Sequence, residues 1–279
     1  MKKSFFFLIL FIPLFSTIVY AQAGVVERPE PIIYGITADG NLNWYRHIGY
    51  TADLENKPED LKKMLGANRV GTGGWQAYRF VFANRTTIYG VTADGNLNWY
   101  KHTGGEEGTT DMEGSVTIGF GGWQNYKSVF AGGNGVIYAI TPDGNLNWYR
   151  HTGASKGSTD MQGATTIGFG GWQDYKSVFT NGNGIIYAIT LDGNLNWYKH
   201  LGYLTGTAEM QGAITIGFGG WQNYKFVFAN EDIIYAVSND GNLYFYRYPR
   251  YLTGTGTVTG GDLIGQGGWN NYLNVFSCR

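Results

Sequence analysis

The sequence predicts an all-β protein, a five-bladed β-propeller of four-stranded antiparallel blades. Three observations carry that reading. Two phrases recur five times in nearly fixed register, the segments between them are β-branched and aromatic, and glycine punctuates their turns. An Asp-Gly pair falls at Asp39, Asp94, Asp143, Asp192 and Asp240, and a Gly-Gly-Trp phrase places its ring at Trp75, Trp123, Trp172, Trp221 and Trp269. From Asp to the next Trp there are 36 residues in the first unit and 29 in each of the others. The unit therefore repeats every 48 or 49 residues, with one insertion of seven. A period of this size belongs to propeller blades or solenoids. Glycine contributes 44 of 279 residues, more than double its usual share of about 7%, and long stretches of 3.6-residue periodicity are missing.

In chain order, the first element is expected to be discarded. Lys2 and Lys3 precede an apolar run from Phe5 to Val19, and small residues follow at Ala21 and Ala23. This is the layout of a secretory signal peptide over 1–23. An apolar run of about 15 residues is short for a bilayer span, which needs roughly 20. The mature chain, 24–279, is then expected to be secreted, with no membrane insertion after signal cleavage. Its repeats run approximately 32–83, 84–131, 132–180, 181–229 and 230–279.

Each unit reads as four short strands. In the third, Val136–Thr141 and Leu146–His151 are β-branched and aromatic and flank Pro142-Asp143-Gly144-Asn145. That tetrapeptide is a hairpin turn, because Gly permits positive φ and Asp and Asn tolerate tight bends. Thr165–Gly168 supplies a third strand and Tyr175–Phe179 a fourth, the content of one blade. With almost nothing left over at either end, the ring is expected to close by placing the first strand beside the last unit, which removes free edges. The insertion, Thr51–Ala67, is charged and helix-friendly. It is expected to bulge from the first blade as a solvated loop or one short helix. Cys278 is the only cysteine, so packing and not an intrachain disulfide must hold the fold. It is expected in a frayed terminus.

Several function classes are excluded on composition and spacing. A net charge of −1 gives no electrostatic footprint for nucleic acid. The repeated Asp residues occupy equivalent turns that symmetry holds apart, whereas a glycosidase pair must lie within about 5–10 Å. "TPDGNLNW" resembles the Asp-box turn of sialidase-like propellers, with Gly directly after Asp, and that motif is a structural turn. His47, His102, His151 and His200 share one repeat position, where the fifth unit has Tyr248. One His per blade does not converge on a metal, so these are expected to be structural or surface residues. No catalytic residue, metal site or cofactor is assigned. Asn84-Arg85-Thr86 is a glycosylation sequon.

A binding role remains. "IGFGGWQNYKSVF" joins two glycines, an indole, an amide and a tyrosine. Glycines let a ligand approach the backbone, an indole can lie on the C–H face of a sugar, and amides and carboxylates bond hydroxyl groups. The candidate carbohydrate-binding residues are Gly122, Trp123 and Asn125; Gly171, Trp172 and Asp174; Gly220, Trp221 and Asn223; Gly268, Trp269 and Asn271; and Trp75, in a unit where Ala77 replaces the amide. The rings have a second expected role as staples between blades, because large aromatics are usually buried.

On these residues the chain resembles the tachylectin-type five-bladed propeller lectins, with their Ile-Gly-x-Gly-Gly-Trp-x-x-aromatic-Lys signature. The resemblance spans Ile32 to Phe276. It implies binding of N-acetylated hexosamines, GlcNAc or GalNAc, at equivalent sites between blades, and glycans or glycoconjugates on surfaces as partners. Where that family carries Asp-Asn-Trp before the Ile-Gly strand, this chain reads "TDMQGATTIG" or "AEMQGAITIG". The alternative is a protein-binding or structural propeller without sugar specificity, using the first-unit insertion as its footprint.

Overall fold

The computed structural model describes residues 29–278, so the signal segment lies outside the described residues. The chain forms five four-stranded antiparallel sheets arranged as a five-bladed propeller. The second blade contains Phe80–Asn84, Thr87–Val91, Leu97–His102 and Met112–Gly119, from the axis outward. The third contains Ser128–Gly133, Val136–Ile140, Leu146–His151 and Met161–Gly168. Ser177–Gly182 opens the fourth and Tyr224–Asn230 the fifth. Each repeat gives three strands to one blade and its last strand to the next. The first blade (Ile32–Ile36, Leu42–His47 and Met64–Gly71) is therefore completed by Asn274–Cys278, paired antiparallel from Ile32 with Cys278 to Ile36 with Asn274. Ring closure thus follows the expectation, but the terminus does not fray before Cys278. The ladder hydrogen bonds that close the ring hold its backbone.

Burial follows position in the blade. The strands second from the axis are covered on both faces, and Ile32–Ile36, Thr87–Val91, Val136–Ile140 and Ile185–Ile189 are buried throughout. The outermost strands are mostly exposed. Phe82, Phe130, Phe179, Phe228 and Phe276, one from each innermost strand, line a narrow axial cavity. Asn84 is buried at the mouth of that channel, so the sequon's side chain points away from bulk water.

Two contacts recur across the seams, each at four of the five. In the first, the third-strand indole reaches the next blade. Trp44 Nε1 donates to the Gly105 carbonyl at 2.8 Å, Trp99 to Ala154 at 2.9 Å, Trp148 to Tyr203 at 2.8 Å and Trp197 to Tyr251 at 2.7 Å. A glycine makes room for each ring. A Cβ on Gly108, Gly157, Gly206 or Gly254 would stand 2.4–2.6 Å from the indole. In the second contact, the repeated histidine, buried, meets a tyrosine of the preceding blade. His102 Nδ1 lies 2.6 Å from Tyr34 Oη, His151 3.0 Å from Tyr89, His200 2.9 Å from Tyr138 and His47 2.8 Å from Tyr235. Each Nε2 faces a backbone carbonyl, of Thr109, Ser158, Thr207 and Leu61 respectively. Nε2 therefore carries the proton and Nδ1 accepts from the phenol. With both ring nitrogens engaged, these histidines have no lone pair left for a metal. Among the described residues no group of three or more His, Cys, Asp or Glu could hold one.

The closing seam departs from the pattern, and the insertion explains how. Phe245 replaces the indole and has no N–H to give. The carbonyl at the equivalent position, Tyr50, instead accepts from the Arg247 guanidinium, which lies over the Phe245 ring at 4.9 Å. Arg247 also pairs with Asp232 at 3.0 Å and with Asp53, from the insertion, at 2.5 Å. Tyr50, Ala52 and Leu61 join the fifth blade's core. The insertion does contain a short helix, a 3₁₀ turn over Pro58–Lys62, but it is no free solvated loop. It clasps the first blade to the fifth, because the smaller Phe245 leaves apolar surface and a buried cation that need partners.

Two predictions follow from the seams. Gly157 and Gly121 both have φ near +67°, at +66° and +67°, but a Cβ on Gly157 meets Trp99 at 2.5 Å while one on Gly121 meets nothing within 4 Å. Gly157→Ala should therefore destabilise more than Gly121→Ala, by roughly 1–3 kcal/mol for overpacking, as read by urea denaturation of the two variants. The second prediction concerns acid. Burial pulls His47 down to about 4 and lowers His102, His151 and His200. A histidine with a lowered folded pKa gives full stability above its unfolded value of about 6.5, and that stability is lost as pH falls toward the folded value. The urea midpoint should fall between pH 6.5 and 5, above most carboxylate titrations, with His47 alone costing on the order of 3 kcal/mol by pH 4. A flat midpoint over that window would contradict the assigned neutral imidazoles.

Candidate functional site: the blade seams

The Asp-Gly hairpin and the Gly-Gly-Trp loop form one unit on one face of each blade. Thr92 Oγ1 donates to Asp94 at 2.5 Å and accepts from the Asn96 amide, and Asn96 Nδ2 donates to Asp94. This turns Asn96 Oδ1 toward the loop, where it accepts from Gly121 N–H at 3.1 Å, while the Trp123 backbone N–H donates to the Gly95 carbonyl. The bond from the first Gly of the phrase to this Asn recurs at 3.1 Å in all five copies. The repeated Asp is thus a turn residue, as expected. The second Gly of each phrase, including Gly122, Gly171, Gly220 and Gly268, is left-handed, with φ of 82° to 87°, a conformation that favours glycine.

The loop sets its indole into the seam. Trp75, Trp123, Trp172, Trp221 and Trp269 are buried, 6–8% exposed. Each packs on a third-strand tyrosine, with centroids 4.6–4.8 Å apart: Tyr100, Tyr149, Tyr198, Tyr246 and Tyr45 in turn. That tyrosine's hydroxyl bonds the tyrosine three residues after the Trp, as in Tyr78–Tyr100 and Tyr126–Tyr149. The Ile-Gly glycine is required too, since a Cβ on Gly71 would lie 2.4 Å from Trp75 Nε1.

These parts leave a recess. At the first seam a cavity of about 340 Å³ is lined by Val70, Gly71, Gly73, Gly74, Trp75, Tyr78, Tyr100, Met112 and Gly114. It offers indole and phenol faces, a thioether, a glycine lip and two hydroxyls. Burial, chiefly, and the bond to Tyr78 push the Tyr100 phenol up to about 12, and the matching tyrosines 45, 149, 198 and 246 also lie above their usual value. These phenols stay neutral at physiological pH and can both donate and accept.

The predicted site residues divide between wall and surface. The Gly and Trp positions form the lip and wall, with Trp75 and Gly74 lining the recess itself. The rings also staple the seam, the second role expected of them. Asn125, Asp174, Asn223 and Asn271 lie exposed on the short 3₁₀ turns after the indoles. Ala77, at the same position, is not among the residues lining the first recess. Sequence reasoning missed Tyr100, Tyr78 and Met112. The signal for the two tyrosines is that of Asn-Trp-Tyr and of Trp-x-x-Tyr, repeated in every unit or nearly so. The signature lysine is structural here, as Lys225 Nζ donates to the Asn270 carbonyl of the next loop at 2.7 Å, and Lys127 and Lys176 make the equivalent bond. Among the described residues no helix is long and apolar enough to cross a membrane.

The fold has solved counterparts. One is a symmetrical protein studied for its de novo evolutionary emergence under folding constraints. It is 21% identical, with a TM-score of 0.57 over 88% of this chain and 97% of that one. Prp20p from Saccharomyces cerevisiae overlaps more loosely, at 15% identity and a TM-score of 0.38 over 84% of this chain and 61% of its own. No curated protein matches the sequence. The Tachylectin family profile matches residues 25–166 and again 118–279, together covering the whole propeller. Five blades, the repeated Gly-Gly-Trp seam and this double match show that the chain belongs to the Tachylectin family.

Proposed function

We propose that the protein is a secreted, multivalent lectin that binds N-acetylated hexosamines, GlcNAc or GalNAc, in its blade seams. The observation that carries this reading is the aromatic-walled, glycine-lipped recess built by a loop that recurs at every seam. A pyranose fits its chemistry. The indole and phenol faces suit the apolar C–H side of a sugar, the neutral hydroxyls suit its O–H groups, and Met112 gives an acetamido methyl an apolar, adaptable neighbour. The exposed Asn125, Asp174, Asn223 and Asn271 stand beside the lip as polar contacts for the outer part of a glycan. This is binding and not catalysis, since the repeated carboxylates serve turns.

Calorimetry with GlcNAc and GalNAc, together with a glycan array, tests the proposal. Weak monosaccharide binding is expected, with a glycan-coated surface bound at least about 100-fold more tightly through multivalency. Tyr100→Phe, which keeps the ring and removes one recess hydroxyl, should lower the sugar stoichiometry by one site without loss of fold. Silence toward both sugars in both assays would end the reading.

A further inference from the structure

Phe120, Phe169 and Phe218 share one repeat position and are among the most exposed large apolar side chains, at 74%, 79% and 71%. Each stands between two glycines of the seam lip. Gly119 and Gly121 flank Phe120, and their equivalents Gly71 and Gly73 line the recess at the first seam. The first and fifth units carry Thr72 and Gln266 there, also exposed. Packing does not call for these rings, because the loop keeps the same geometry with or without one: the glycine-to-asparagine bond is 3.1 Å beside Thr72, beside each Phe and beside Gln266. A phenyl ring left in water and adjoining a recess is latent apolar contact area.

Resting on the lectin reading, we infer that Phe120, Phe169 and Phe218 are specificity-determining platforms that stack on the group attached to the bound sugar, a second sugar ring or an apolar aglycone. The five seams then fall into two classes. Three neighbouring seams are aromatic-rimmed and read beyond the first sugar, and two are polar-rimmed and read only the first.

The probes are methyl and p-nitrophenyl N-acetylglucosaminides, as both anomers, titrated calorimetrically into wild type and into a Phe120→Thr, Phe169→Thr, Phe218→Thr triple variant. Threonine is the residue the first unit already carries at this exposed position, so the variant should melt with wild type. For wild type, the aryl glycoside is expected to bind about three- to tenfold more tightly than the methyl glycoside at three of five sites, the range of one aromatic contact. The triple variant should lose that difference and keep its methyl glycoside affinity. Thr72→Phe with Gln266→Phe should raise the number of tight aryl sites toward five. Methyl glycoside binding with no aryl preference, or a preference that survives in the triple variant, would overturn this inference while leaving the seam lectin standing. Absence of binding by any probe would instead remove the lectin reading, and this one with it.

Discussion

Four of the five seams depend on an indole that belongs to one blade and is seated in the next. A propeller blade cannot bury both faces by itself, so its stability is borrowed from its neighbours. Trp44, Trp99, Trp148 and Trp197 fix the terms of that loan. The ring fills a space kept open by glycine in the following blade, and its N–H satisfies a carbonyl of that blade's loop. The apolar contact sets how close the blades come, and the hydrogen bond sets their rotation. At three of these seams a His–Tyr bridge adds a second buried polar contact. Because a buried donor or acceptor without a partner costs about 1–3 kcal/mol, the seam tolerates little sliding. The recess beside the Gly-Gly-Trp ring takes its width from this fixed spacing.

The fifth unit shows what happens when one part is exchanged. Phe245 keeps the apolar contact but surrenders the donor, and Tyr248 replaces the histidine. The orphaned carbonyl of Tyr50 and the apolar face beside Phe245 both lie at the seam between the fifth blade and the first, the blade assembled from the two ends of the described chain. Arg247 restores the donor, and Asp53 and Asp232 balance its charge. The helix Pro58–Lys62 brings Leu61, whose side chain enters the fifth blade's core and whose carbonyl receives His47. A segment that reads as a charged surface loop is thus the device that replaces a missing tryptophan. Breaking a buried pair such as Arg247–Asp232 by removing one partner is costly because the other charge stays buried.

Much of this was legible in residue order, and the reason is symmetry. Register, blade number, the Asp-Gly hairpin and strand exchange at closure follow from counting, because every unit meets the same local constraints. Leu146–His151 keeps its predicted bounds, whereas the third strand extends back from Thr165 to Met161. A strand exposed on its outer side lacks the apolar pattern that would mark its start. The His–Tyr bridges join residues 62 to 188 positions apart, and no pattern within one unit states which neighbour it faces. The amides after the indoles looked like sugar ligands by chemistry alone. The 3₁₀ turn that follows each left-handed glycine presents Asn125 and its counterparts on the open surface beside the lip. The seam tyrosines repeat as plainly as the tryptophans, but a repeated buried aromatic reads first as core.

The recess also carries no net charge of its own. Burial holds the Tyr100 phenol neutral, the lip is glycine, and the lysines after the indoles at other seams donate to carbonyls of the next loop. Recognition in such a place relies on fit, ring contact and neutral hydrogen bonds, which salt screens little in comparison with exposed charge pairs. Individual contacts of this kind are weak, and a protein with a net charge of −1 gains no long-range attraction to compensate. Repetition supplies what charge does not. On the lectin reading proposed above, repeated seams on one closed ring would convert a modest local affinity into retention on a surface that presents the ligand densely. On that reading the fold requirement for matched blades and the binding requirement for matched sites fall on the same residues, and the repeats stay alike where both apply.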